Sequence, residues 1–149
     1  PLLYHCCQLL ALFLIVAIVV EPGMVPYEKE INGLKEMQAT VGGLITTSYP
    51  YEEPIAIVSN DESILEGMPF NRSIEGGYGG IFGPFFVCGL TEDSFCSLTP
   101  EQMEHFKKKF HQAEILVGVH GNEPITLKVE PRPHTQPDQP KHPPKTPGR

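Results

Sequence analysis

Four polar residues stand out against apolar surroundings. Asn60 and Asp61 close the run Ile55-Ala56-Ile57-Val58-Ser59, and Asn71 and Arg72 follow just after Pro69. Arg72 is the sole arginine before the proline-rich tail, and lysine supplies every other cation there. A guanidinium presents a planar fork of donors that can hold a carboxylate or a phosphate through two bonds at once, whereas lysine is a point charge. Two readings follow. In the structural one, Arg72 pairs with Asp61 and pins two loops that end segments of one sheet. In the functional one, Asn60, Asp61, Asn71 and Arg72 converge on a small ligand such as a nucleotide, with the guanidinium facing it. The structural version is the simpler one, because arginine is favoured in internal pairs.

Other arrangements offer less. Cys96 with His105 or His111 is the one conceivable thiol and base, and no protease signature surrounds it. The two histidines are six residues apart, which does not place two ligands on one helix face. Cys6, Cys7, Cys88 and Cys96 match no common zinc spacing, so no metal is expected. Gly76-Gly77-Tyr78-Gly79-Gly80 lacks the Gly-Lys-Ser/Thr of a phosphate loop and the six-residue dinucleotide fingerprint. It reads as a flexible loop, and no cofactor is expected. Asn71-Arg72-Ser73 matches the short glycosylation pattern, which is common by chance. The acidic groups are scattered and form no pair for acid–base work. The chain therefore reads as non-catalytic.

Charge narrows the partners. The total is −7, but the tail carries Arg132, Lys141, Lys145 and Arg149 against Asp138, a surplus of three, which leaves residues 1–130 at −10. A body this acidic repels phosphate, so direct nucleic-acid binding is not expected. Lys107, Lys108 and Lys109 close a helix, where cations complement its dipole, and do not form a nucleic-acid patch. Cys88 lies in an apolar run and reads as a buried thiol, consistent with a reducing cytoplasm rather than a disulfide scaffold.

The elements that would position these residues follow from periodicity. Phe85-Phe86-Val87-Cys88 is apolar at every position and closed by Gly89, which predicts a strand buried on both faces and starting after Pro84. Ile15–Val20 is rich in β-branched residues and ends at Glu21-Pro22-Gly23, so it predicts a first buried strand. Tyr27–Ile31 alternates as a second. Asn32 is placed to cap a helix whose face is Leu34, Met37 and Val41, ended by Gly42-Gly43. Leu44–Tyr49 and Ile55–Val58 predict strands, and Ile64, Leu65 and Met68 a short helical turn. Thr99, Pro100 and Gln102 make a capping box for a helix with Met103, Phe106 and Phe110 on its apolar face. Ile115–Val119 and Ile125–Val129 predict a hairpin through His120–Pro124.

The ends differ from the body. Leu9–Val20 is twelve consecutive apolar residues, short of the roughly 20 needed to span a bilayer. No Lys or Arg precedes Lys29, as a signal peptide would require. Residues 1–13 are expected to be a non-native or flexible hydrophobic extension, with no membrane partner unless that run is native. Residues 130–149 are too rich in proline and too poor in apolar groups to bury a core, and are expected to be disordered.

Seven short stretches, taken in order, resemble the domain-of-unknown-function family 3846. They are Val20-Glu21-Pro22-Gly23, Pro26-Tyr27, Met37-Gln38 with Val41-Gly42-Gly43, Asn60-Asp61-Glu62, Gly67-Met68-Pro69-Phe70-Asn71-Arg72, Phe85-Phe86-Val87-Cys88-Gly89, and Phe95 through Leu98-Thr99-Pro100-Glu101-Gln102. The resemblance runs from about Ile15 to Phe110. Ser63 replaces the family's usual glycine, and Pro84 its usual threonine. The resemblance implies a cytosolic protein of phages, plasmids or gut Firmicutes, sometimes joined to antirestriction domains, and it implies no enzymatic activity.

These readings combine into one α+β domain over residues 14–129. It has a mainly antiparallel sheet of four to six strands and two helices packed on it as a second layer. The expected function is a small non-catalytic binding protein of a phage or mobile element, acting on a host protein or small ligand, in counter-defence or another host interaction. The alternative is a nucleotide- or small-ligand-sequestering protein, or an enzyme, built on Asn60, Asp61, Asn71 and Arg72.

Overall fold

The computed structural model describes residues 14–134, and the expectations for 1–13 and for most of the tail lie outside that range. Phe85–Leu90 forms strand β7, buried at every position but its last. The other long apolar runs flank it. β1 (Leu14–Val20) pairs antiparallel on one side, with Val19 opposite Phe86. β4 (Ile55–Asn60) pairs on the other, with Val58 opposite Phe86. β2 (Tyr27–Asn32) and β3 (Ile45–Ser48) are the two edges, so the order is β2-β1-β7-β4-β3. The two-residue β8 (Phe95–Cys96) pairs with Gly89 and Leu90, extending the β1 side of β7. All pairs in this six-stranded sheet are antiparallel.

Because β1, β4 and β7 are apolar at consecutive positions, both faces of the sheet need a cover. Helix α1 (Gly33–Val41) lays Met37 and Val41 over Ala17, Val19, Ala56, Val58, Phe86 and Cys88. Helix α2 (Pro100–Lys109) and the residue that follows it lay Phe106 and Phe110 over Ile18, Val20, Ile55, Ile57, Phe85 and Val87. The helices thus lie on opposite faces, and the expected two layers are three. Leu34 is 47% exposed, and the buried stripe of α1 is instead Gly33, Met37 and Val41, four residues apart. Asn32 caps α1 by position only, and the Glu36 carboxylate accepts its N–H at 2.7 Å. Thr99 and Gln102 form the expected capping box on α2.

Two smaller hairpins stand beside this core. β5 (Phe70–Ile74) and β6 (Gly79–Phe82) pair where the sequence reads as a loop. The glycines there serve close packing rather than mobility. Gly76 and Gly77 take φ of +75° and +81° in the connecting turn, and Gly80 lies under the Phe70 ring, where a Cβ would collide. β9 (Ala113–His120) and β10 (Glu123–Val129) form the expected hairpin. Ile64 and Leu65, placed in a packed turn by sequence, are largely exposed.

The described residues past Val129 return to the core. Arg132 bridges Met24 in parallel, its N–H donating to the Gly23 carbonyl at 2.9 Å and its carbonyl accepting the Val25 N–H at 2.8 Å. His134 stacks on Tyr27 with ring centroids 3.5 Å apart. Backbone pairing, rather than apolar burial, holds this proline-rich segment, which is why composition did not reveal it.

Candidate functional site

Asn71 and Arg72 lie side by side on β5, and their side chains turn inward to full burial. The Asn71 amide donates to the carbonyls of Val20 and Gly83, each at 2.9 Å. It therefore ties the end of β1 to the turn that enters β7. Its Oδ1 accepts Arg72 Nη1 at 2.9 Å. Arg72 Nε and Nη2 both donate to the Phe110 carbonyl, at 3.1 and 2.8 Å. Nη2 also donates to the Met24 carbonyl at 2.7 Å, and Nη1 to the Asn71 carbonyl at 3.4 Å. A guanidinium has five N–H donors, and these five bonds occupy them.

All of these acceptors are neutral, and among the described residues Arg72 joins no ion pair. Lys107 pairs with Glu28 and Glu104, and Lys109 with Glu75. The buried charge is offset by the C-terminal end of α2, because Phe110 is its cap residue and its carbonyl lies at the negative end of the helix dipole. Burial pushes the Arg72 guanidinium down to about 10, and the charge of Glu114 partly opposes this. It remains protonated at neutral pH.

Asn60 and Asp61 belong to a different network, so the expected Arg72–Asp61 pair does not form. Asn60 donates to the Val41 carbonyl at 3.2 Å, closing the end of α1, and accepts the Glu62 N–H at 2.7 Å. By strand alternation it shares the α1 face with Ala56 and Val58, whereas Arg72 bonds the end of α2 on the other face. Asp61 is exposed, and its backbone N–H continues the β4 ladder to the Leu44 carbonyl at 2.8 Å. The arginine was legible as special. Its real acceptors, the carbonyls of Met24 and Phe110, leave no mark in side-chain chemistry.

Gly83 was missed as part of this cluster. It has φ +82°, its carbonyl accepts Asn71, and a Cβ there would run into the Met68 sulphur. Gly83→Ala is expected to cost roughly 1–3 kcal/mol, the cost of a left-handed non-glycine residue, measured as a shift in urea midpoint. A loss below about 0.5 kcal/mol, typical of an unconstrained surface position, would show that this turn is not constrained.

The thiol reading also meets its geometry. Burial pushes the Cys96 thiol up, the opposite of what a nucleophile needs. His105 packs edge-on against Phe106, on the helix that covers the sheet. No group of three or more metal-ligating side chains occurs among the described residues. An open cleft of about 620 Å³ lies between the β5–β6 turn, the end of α2 and the β9–β10 turn. Glu75, Glu114 and Glu123 line it with Lys109, and Lys109 is already held by Glu75. Three carboxylates against one engaged ammonium disfavour a phosphate ligand there.

No helix among the described residues is long and apolar enough to cross a membrane. No curated protein and no solved structure matches the chain. A family model does match, opening at Ile15 in β1 and closing at His111, one residue past the carbonyl that holds Arg72. The chain belongs to the family described as domain of unknown function (DUF3846), which accounts for residues 15–111 and thus for the sheet, both helices and the Asn71–Arg72 cluster.

Proposed function

We propose that this chain is a small non-catalytic binding protein of a phage or mobile element that engages a host protein in the cytoplasm, in a counter-defence role. The observation that carries the reading is the exposed aliphatic surface of the β9–β10 hairpin. Ile115, Val117, Val119, Ile125 and Leu127 are 47–62% exposed there, and the register sets Leu127 opposite Ile115 and Ile125 opposite Gly118. The hairpin is anchored from its other side, where Glu114 accepts both the N–H and the hydroxyl of Ser73. A cluster of exposed aliphatics is a mark of protein–protein contact, and Ile115, Ile125 and Leu127 share one face of the hairpin. The acidic body argues against an anionic lipid or nucleic-acid partner for that cluster. The small-ligand alternative has less support, since Arg72 has no donor left for an anion.

The test is the double variant Val117→Lys, Leu127→Lys, assayed for folding and for counter-defence in an infected host. Both residues are exposed, so stability is expected to stay within about 0.5 kcal/mol per substitution. Activity and cross-linking to the host partner are expected to be lost. Full activity in the variant would remove the hairpin from the function. A rise in melting temperature with one nucleotide would favour the small-ligand alternative instead.

A further inference from the structure

The two edges of the central sheet are not alike. β2 carries Glu28, Lys29 and Glu30 along its length, the charged pattern that discourages further pairing. β3, Ile45-Thr46-Thr47-Ser48, carries no charge, and no strand of the described residues pairs on its outer side. The Asp61 N–H donates to the Leu44 carbonyl, so Leu44 and Asp61 form a hydrogen-bonded pair of the ladder. Antiparallel pairs alternate, so Thr46 and Ser48 also point their backbone groups at β4. Ile45 and Thr47 then point their N–H and C=O groups outward.

A groove runs along this edge on the α1 face, with a volume of about 510 Å³. No residue of α1, a helix of nine residues and about 13 Å, lines it. Ile45, Tyr49, Leu90 and Phe95 form its apolar wall. Glu92 and Asp93 form its rim and are exposed. Glu52 and Glu53 lie in the neighbouring turn, whose Pro54 carbonyl accepts the Leu90 N–H. Between Lys35 and Lys107 the one arginine or lysine is Arg72, which is fully buried. The residues that line the groove therefore include two carboxylates and no lysine or arginine.

We propose that β3 is a docking edge for an extended, basic peptide segment of a partner protein. The segment adds as a strand beside β3, bonding the outward groups of Ile45 and Thr47. Its alternate side chains are aliphatic and enter the groove, and its flanking lysines or arginines face Glu92 and Asp93. This is strand addition, in which backbone bonds supply affinity and alternate pockets supply choice. The site is separate from the β9–β10 hairpin, so either proposal can fail alone.

The probe is the synthetic peptide acetyl-Lys-Thr-Val-Thr-Ile-Thr-Lys-amide, titrated into the full chain while backbone amide NMR signals are followed. Shifts are expected at Ile45, Thr47 and Leu90, and the affinity is expected to fall as salt is raised. The key variant is Thr47→Pro. Its N–H faces outward, so proline leaves the β4 ladder intact and removes only the docking donor. It is expected to weaken peptide binding at least about tenfold, the scale of one lost hydrogen bond to a well-placed partner, without lowering the melting temperature. Thr46→Pro, whose N–H faces β4, is expected to lower the melting temperature and so checks the orientation. The same peptide with glutamates in place of its lysines is expected not to bind. No shift with the basic peptide, binding unchanged in Thr47→Pro, equal binding of the acidic peptide, or a dimer that sediments through this edge without peptide would each overturn the proposal.

Discussion

Arg72→Lys is expected to lower stability by about 3–5 kcal/mol, the range seen when a buried charged group loses its partners. A lysine brings three donors on a single nitrogen, and these cannot reach the carbonyls of Phe110 and Met24 and the Asn71 oxygen in the fork geometry. Some buried carbonyls would lose their donors while the buried charge remained. Arg72→Met removes the charge but leaves the same carbonyls unpaired, so it too is expected to be severe. Asp61→Ala, at an exposed position with no bond to Arg72, is expected to shift stability by no more than about 0.5 kcal/mol. Urea unfolding of the three variants separates the cases. If Arg72→Lys melts as the parent does and only counter-defence is lost, the guanidinium serves a ligand and the structural account fails.

Phe86→Ala should cost roughly 3–5 kcal/mol, as expected for a large side chain removed from a closed core. Phe86 is fully buried, lies opposite Val19 on one side and Val58 on the other, and has α1 above it. Those neighbours belong to three different elements, so the cavity cannot close by moving one of them. The expected measurement is a lower urea midpoint at unchanged slope. A loss under about 1 kcal/mol would mean that β7 is not the centre of the sheet.

The elements with strong local signals were legible. β1, β7 and the β9–β10 hairpin follow from β-branched and apolar runs, and α2 follows from its capping box. The three-layer arrangement was also written in the sequence. A strand apolar at every position, such as Phe85–Cys88, requires a cover on both faces, and two helices on one side cannot provide it. β5 and β6 were hidden because their glycines look like a mobile loop, and only the tertiary fit of Gly80 under Phe70 explains them. At the candidate site, Arg72 and Asn71 were legible by residue type. Their partners were not, because backbone carbonyls are the same at every residue. Pairing Arg72 with Asp61 followed side-chain charge, whereas the fold supplied a helix end in place of a carboxylate.

The dependence of Arg72 on Phe110 has a consequence for biosynthesis. The carbonyls that Arg72 and Asn71 bond belong to Val20, Met24, Asn71, Gly83 and Phe110, and Phe110 is the last of these to be translated. On a ribosome, the N-terminal strands emerge long before the residue that completes the cluster. Until Phe110 clears the exit tunnel, Arg72 lacks its helix-end acceptor and cannot be buried without penalty. The face of the core that Phe106 and Phe110 cover is therefore closed late, when nearly the whole family domain is outside, and a chain stalled before residue 110 is left with that face open for chaperones or proteases to find.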